Sequence, residues 1–171
     1  MVSRTGAALA SLLLLGCGLS TRDLDGDGFA ALDGDCDDWD PRVNPAAADL
    51  AADGVDDDCD GVEPIAVARG LEHACTLYTD GSIRCTGDDA LGQLDVPPQQ
   101  PFPFVDLVAG DYHSCALDLV GTTACWGDDR EGQSTPPADL EPVERIGAGP
   151  DFSWGEGPDQ PRVCWGRCFG P

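Results

Sequence analysis

Apolar residues fall into three regimes along this chain. From Ala7 to Leu15 they form one run, AALASLLLL, broken only by Ser11. From Asp23 to Glu63 they are scattered among fourteen aspartates, and seven of them are alanine. From Pro64 onward short β-prone runs return, separated by Gly, Asp and Pro. In HACTLYTDGSIRC, His73 to Cys85, two such runs flank an Asp80-Gly81 turn, which predicts a β-hairpin. A three-residue loop, Thr79 to Gly81, with Gly81 left-handed in a bulge turn, sets Tyr78 opposite Ser82. Counting outward then sets Cys75 opposite Cys85. The same count over Leu119 to Gly121 sets Cys115 opposite Cys125. Two copies thus predict one disulfide register, each cross-link worth about 2–4 kcal/mol.

The copies are a repeat. Gly70, His73, Cys75, Leu77, Cys85, Gly87, Asp88, Asp89, Gly92, Gln93 and Pro97 recur forty residues later, from Gly110 to Pro137. A third copy begins near Ile146, where Gly149, Cys164, Trp165 and Gly166 match at offset thirty-nine. It is degenerate, with Phe152 and Trp154 in the places of His and Cys. The repeat resembles that of the regulator of chromosome condensation family. The residues carrying the match are VAGDYHSCALDLVGTTACWGDDREGQS, Val108 to Ser134, and a weaker sister, Val67 to Leu94. Copy one departs at Thr86, where copy two has Trp126. The resemblance implies β-propeller blades, but closed propellers of this kind use about seven. Two and a half copies therefore predict an open set. The expected outcomes are self-association, a disulfide-stapled remnant, or a truncated propeller.

Charge separates the regions further. The formal net charge is -23, and all nine basic residues are arginine. Fifteen acidic residues and one arginine, Arg42, lie between Asp23 and Glu63. A surface this acidic repels nucleic acid, which is excluded as a partner. Asp23, Asp25, Asp27 and Gly28 read D-x-D-x-D-G, the front half of an EF-hand calcium loop. The twelfth position is Gly34 rather than glutamate, and the chain before Asp23 offers no amphipathic helix. The expectation is an EF-like loop closed by Asp33 or Asp35. A second cluster, DGVDDDCDG, spans Asp53 to Gly61. Carboxylate oxygens without imidazole or thiolate suit calcium better than copper. The expected metal ligands are Asp23, Asp25, Asp27, Asp33, Asp35, Asp37, Asp53, Asp56 and Asp58. Cys36 and Cys59 sit one in each cluster. A bond between them would bring the charges together and require a cation. The stretch Asp23 to Gly61 resembles the metal-binding repeat of MopE-type bacterial surface proteins. The shared strings are D-x-D-G-D-G, G-D-C-D-D, D-P-x-V-N-P and D-G-x-D-x-D-C-D-G.

The apolar run at the N-terminus is too short to span a bilayer and has the size of a signal-peptide core. Its end, LLGC, Leu14 to Cys17, resembles the bacterial lipoprotein signal. That resemblance implies lipidation of Cys17 and a cell-envelope location, with Gly18 favouring the outer membrane or cell surface. Eight cysteines remain, Cys36, Cys59, Cys75, Cys85, Cys115, Cys125, Cys164 and Cys168. An even number in an exported chain predicts disulfides.

No catalytic residue is assigned. His113 and Ser114 are strand neighbours and point to opposite faces, so they form no dyad. His73 and His113 are read as structural, and Asp88-Asp89 and Asp128-Asp129 as loop residues. The chain is thus read as mainly β in four parts: leader 1–16, lipid-anchor linker 17–22, metal-binding repeat 23–63, and propeller-type repeats 64–171. The repeats divide at 64–103, 104–143 and a partial 144–171. The expected function is a calcium-binding spacer, anchored to the membrane, presenting a binding or adhesion module to a protein or glycan ligand. The alternatives are an inhibitor or regulator of an extracytoplasmic enzyme and a non-functional fragment.

Overall fold

The computed structural model describes residues 20–49, 53–98, 101–140, 142–158 and 161–168. The expected leader and Cys17 lie outside them. No helix among the described residues is long and apolar enough to cross a membrane.

Residues 64–168 form three-stranded antiparallel sheets, one per repeat. The first contains β1 (Pro64–Arg69), β2 (His73–Tyr78) and β3 (Ile83–Gly87). The second contains β4 (Phe104–Ala109), β5 (His113–Asp118) and β6 (Thr123–Gly127). The third contains β7 (Arg145–Ala148), β8 (Phe152–Glu156) and β9 (Val163–Gly166). The third copy is therefore a whole blade, not the half expected from its degenerate sequence. Phe152 still pairs with Gly166 and Trp154 with Cys164, in the register of the other copies. Strand pairing survives because it is made by backbone, whatever the side chains.

The hairpin register is as the turn chemistry predicts. Cys75 pairs with Cys85 and Cys115 with Cys125, and both pairs are disulfide-bonded. Gly81 and Gly121 are left-handed, at φ +79° and +88°. A Cβ on Gly81 would fall 2.4 Å from Pro103 Cβ, on the segment that feeds the next blade. This turn position needs glycine for conformation and for space together.

The blades pack face to face, and their hydrophobic cores lie between them. Leu77 and Cys75 of the first blade meet Phe104, Leu107, Ala116 and Trp126 of the second. Cys115 and Leu117 of the second meet Ile146 and Trp165 of the third. The burial patterns record this. In β2 buried and half-buried positions alternate, whereas every residue of β5 is buried. Only the middle blade is covered on both faces.

Residues 20–63 contain no strand among those described, only a 3-10 turn at Ala31–Asp33. Ala30 and Val43 are its buried apolar residues. The Cys36–Cys59 disulfide ties its two acidic clusters together. Asn44 N–H donates to the Asp57 carbonyl at 2.9 Å, adding a second tie. The region joins the first blade through Glu63, whose carbonyl accepts from Thr79 N–H at 2.8 Å. Glu63 N–H in turn donates to Thr79 Oγ1 at 2.9 Å.

Candidate metal centre

The first acidic loop is wound by its own aspartates. Asp23 Oδ1 accepts from Gly26 N–H at 2.6 Å, and Oδ2 accepts from Gly28 N–H at 3.1 Å. Asp25 Oδ1 accepts from Asp27 N–H, and Asp27 Oδ1 from Phe29 N–H. Asp25 and Asp27 use the short Asx reach of aspartate to bond the backbone two residues on, while Asp23 reaches three and five residues on. Gly26 and Gly28 supply the left-handed backbone, at φ +87° and +102°.

The same loop is built a second time. Asp56, Asp58, Asp60 and Gly61 repeat the D-x-D-x-D-G spacing thirty-three residues after Asp23, Asp25, Asp27 and Gly28. The hydrogen bonds repeat as well. Asp56 Oδ2 accepts from Gly61 N–H, Asp58 Oδ1 from Asp60 N–H, and Asp60 Oδ1 from Val62 N–H. Cys59 stands where Gly26 stands, and it too is left-handed, at φ +58°. It is the sole non-glycine with positive φ among the described residues.

Once the backbone is served, inward oxygens remain. Asp25 Oδ2, Asp27 Oδ2 and Asp35 Oδ2 are buried without a hydrogen-bond partner. The carboxylates of Asp23, Asp25 and Asp27 lie within 4.8 Å of one another. Asp35, only 5% exposed, faces this group electrostatically. In the second cluster Asp49, Asp58 and Asp60 lie within 4.8 Å of one another. Asp49 Oδ1, Asp56 Oδ1 and both oxygens of Glu63 are buried without a partner.

The electrostatics match this geometry. Desolvation raises the Asp25 carboxyl pKa, and the charges of Asp27, Asp35 and Asp23 raise it further. Desolvation also raises Asp35, with Asp27, Asp38 and Asp37 adding to it. Asp49 rises by desolvation and by Asp58, Asp60 and Asp56, and Glu63 by desolvation and by Asp56 and Asp49. Like charges held this close disfavour one another's ionised form. A hard divalent cation removes that repulsion and completes the unpartnered oxygens, so the donor set fits a metal.

The structure sorts the expected ligands. Asp23, Asp25 and Asp27 come together in one group, with the charge of Asp35 acting on it, and Asp58 belongs to the other, with the charge of Asp56 acting on it. Asp33, Asp37 and Asp53 join neither. Asp33 lies exposed in the 3-10 turn and Asp37 is exposed beside it. Exposed Asp53 accepts from Val55 N–H at 3.1 Å, closing its own turn. Asp49, Asp60 and Glu63 were missed. The repeated D-x-D-x-D-G would have found Asp60. Asp49 and Glu63 carry no local signal, because chain folding alone brings them in. Asp40, held to Arg42 by an ion pair, is lowered to about 2 and stands apart.

Among the described residues the blades hold no comparable donor set. His73 Nε2 meets Ser114 Oγ at 2.9 Å, and His113 Nε2 meets Ser153 Oγ at 2.8 Å, each across a blade boundary. Ser153 Oγ–H donates onward to the Gln133 carbonyl at 3.0 Å, so His113 carries its proton on Nε2. Burial lowers the pKa of both histidines. The recurrent acidic pairs are loop residues, as expected. Asp88 and Asp128 accept from Gln93 and Gln133, while Asp89 and Asp129 cap the backbone at Leu94 and Ser134.

Comparison with known proteins agrees with this division. Residues 35–63 match the MopE-type copper-binding family profile, described as "Putative metal-binding motif". Residues 104–133 match the regulator of chromosome condensation (RCC1) repeat. No curated protein gives a significant match. Prp20p from Saccharomyces cerevisiae superposes with a TM-score of 0.55 and 20% identity, over 63% of this chain and 31% of that one. Human WBSCR16 gives 0.56 and 19%, over 66% and 36%. The ectodomain of the Physcomitrella patens receptor kinase CR4 gives 0.51 and 26%, over 63% and 31%. The chain thus spans about a third of the length of the structures it resembles. It carries a MopE-type metal-binding motif followed by β-propeller repeats of RCC1 type.

Proposed function

We propose that residues 23–63 bind calcium and act as a rigid spacer for a non-catalytic binding module formed by the blades. One observation carries the reading. Two D-x-D-x-D-G loops, pinned together by Cys36–Cys59, turn buried and unpartnered carboxylate oxygens inward. Asp23, Asp25, Asp27 and Asp35 would hold one ion. Asp49, Asp58 and Asp60, with Asp56 and Glu63 beside them, would hold a second. The all-oxygen donor set favours calcium over copper, and both histidines are engaged between blades.

The blade chemistry supports binding rather than catalysis. His113 and Ser114 are adjacent in β5 but serve different neighbours, Ser153 and His73. The partner is a protein or glycan. A protein ligand is in keeping with Prp20p, whose binding to Gsp1p and histones has been studied. The acidic surface disfavours nucleic acid. Lipidation at Cys17 would hold the molecule at the bacterial envelope, at the outer membrane or cell surface.

Calorimetric titration of calcium into the oxidised chain with Cys17→Ser tests the reading, alongside a thermal melt in chelator. Saturable heat and a raised melting temperature are expected, with no comparable response to copper. Absence of heat and of any shift would return the aspartates to a solvated linker.

A further inference from the structure

The blades meet through a repeated set of contacts with two halves. The exit face of one blade supplies a histidine and a loop carbonyl. The entry face of the next supplies a serine and a tryptophan. His73 meets Ser114, and Trp126 Nε1–H donates to the Gln93 carbonyl at 3.0 Å. His113 meets Ser153, and Trp165 Nε1–H donates to the Gln133 carbonyl at 3.0 Å.

The entry face of the first blade has lost its half, and the exit face of the third has lost its histidine. On the entry face of the first blade, Ala74 stands where Ser114 and Ser153 stand, and Thr86 where Trp126 and Trp165 stand. Ala74 and Thr86 are direct cross-strand partners, so the loss is a single patch. Around it Thr76 and Arg84 replace Ala116 and Ala124, which pack into the core between the first two blades. The Arg84 guanidinium lies 4.6 Å from the Tyr78 ring centroid, on the same sheet.

The exit face of the third blade is altered differently. Phe152 keeps the place and pose of the histidines. A Cβ on Gly149 would fall 2.3 Å from Phe152 Cε1, as one on Gly110 would fall 2.2 Å from His113 Cε1. But a phenyl ring has no Nε2–H to reach a serine. Trp154 replaces the disulfide cysteine, and Cys164 bonds Cys168 instead. Gly147, in the place of Val108, makes room for the indole: a Cβ there would fall 2.2 Å from Trp154 Cε2. Arg162 covers the ring at 3.8 Å from its centroid. Glu156 Oε2 accepts from Arg162 at 3.2 Å and from Arg145 at 3.0 Å.

We infer that the two outer faces of this three-blade set are caps, so that neither accepts a further blade of this repeat from a second copy of the chain. Stacking on the entry face would bury Arg84 and Thr76 without partners. Stacking on the exit face would desolvate the Arg162–Glu156–Arg145 group and leave the incoming serine without its histidine. Repeat arrays stay soluble by placing charged or polar groups on their terminal faces, and Arg84 with Thr76 on one face and Arg162 with Glu156 on the other place charge there, beside the apolar Val67, Phe152 and Trp154. The inference is independent of the metal reading.

Sedimentation velocity of the oxidised chain from residue 17, with Cys17→Ser and all described residues retained, tests it. The mass of one chain is expected at every concentration. Concentration-dependent growth, with cross-links between the first and third blades, would overturn the inference. Uncapping sharpens the test. A chain with Ala74→Ser, Thr76→Ala, Arg84→Ala and Thr86→Trp is mixed with one carrying Phe152→His, Glu156→Ala and Arg162→Ala. Each should sediment alone as one chain, and the mixture should show twice that mass. A mixture that stays at one-chain mass, while both variants melt as cooperatively as the parent, also overturns it. If either variant fails to fold, the parent's mass at high concentration decides.

Discussion

The acidic region and the blades are both built from repeats, yet they meet opposite physical problems. In the blades each copy has an apolar face it cannot cover alone, and the neighbour covers it. In the acidic region each copy has carboxylates it cannot neutralise alone, and the fold brings still more of them. Leu77 and Trp126 gain by meeting across a boundary. Asp49 and Asp60 are made worse by meeting, unless a cation joins them. The blades are thus closed by their own chain, whereas the acidic region is left with unpartnered carboxylate oxygens that a cation fits. Each uses disulfides accordingly. Cys75–Cys85 staples strands already paired, whereas Cys36–Cys59 holds together charges that repel.

This contrast is broken most severely at the tryptophans. Trp165→Ala should destabilise the blades by about 3–5 kcal/mol, from lost packing and one lost hydrogen bond to the Gln133 carbonyl, and leave calcium affinity unchanged. Denaturant unfolding followed by tryptophan fluorescence, with calorimetry on the same variant, checks both halves. A fall in calcium affinity would show that the regions are not independent.

The second effect is smaller and runs the other way. Cys36→Ser with Cys59→Ser should cost about 2–4 kcal/mol of local stability in residues 23–63 and weaken calcium binding, with blade unfolding unaltered. Hydrogen exchange resolved by region is the readout. Next come the ligands. Asp27→Asn and Asp60→Asn should each remove one of two binding steps, lowering affinity at that step roughly tenfold or more. Asp33→Asn and Asp53→Asn should titrate like the parent chain. Equal losses at all four would mean a diffuse acidic field rather than two sites.

The smallest effect concerns sign. His73 and His113 are lowered by burial, so the folded blades bind fewer protons than the unfolded chain. Blade stability should be full above the ordinary histidine range and fall as pH drops below it. Asp25, Asp35, Asp49 and Glu63 are raised, so in chelator the folded acidic region binds protons more tightly than the unfolded chain. Its penalty is present at neutral pH and relieved as pH falls through the raised values. With calcium the dependence reverses, because protons then compete with the ion. Melting curves across pH, with and without chelator, separate the three slopes.

Much of this was legible in the residues. The hairpin register followed from the Asp-Gly turn and cysteine spacing, because turn geometry and the two-residue strand period are local rules. The first acidic loop followed likewise, because each aspartate bonds backbone within five residues. The second loop escaped notice because Asp57 and Cys59 interrupt its visible spacing, and the eye groups DDDCD as a run. The third blade was read as half a copy because its side chains depart, although its backbone pairing does not.

The sequence by itself determined which segments pair, where the chain turns, and that two regions of opposite chemistry follow one another. Those facts rest on bonds between near neighbours. Only the tertiary structure decided that Asp35 rather than Asp33 faces the first acidic loop, that Asp49 joins the second, that His113 bonds Ser153 rather than Ser114, and why Ala74 and Thr86 depart from the repeat. Each depends on which face meets which. That is set when blades stack and clusters are pinned, not by the spacing of residues along the chain.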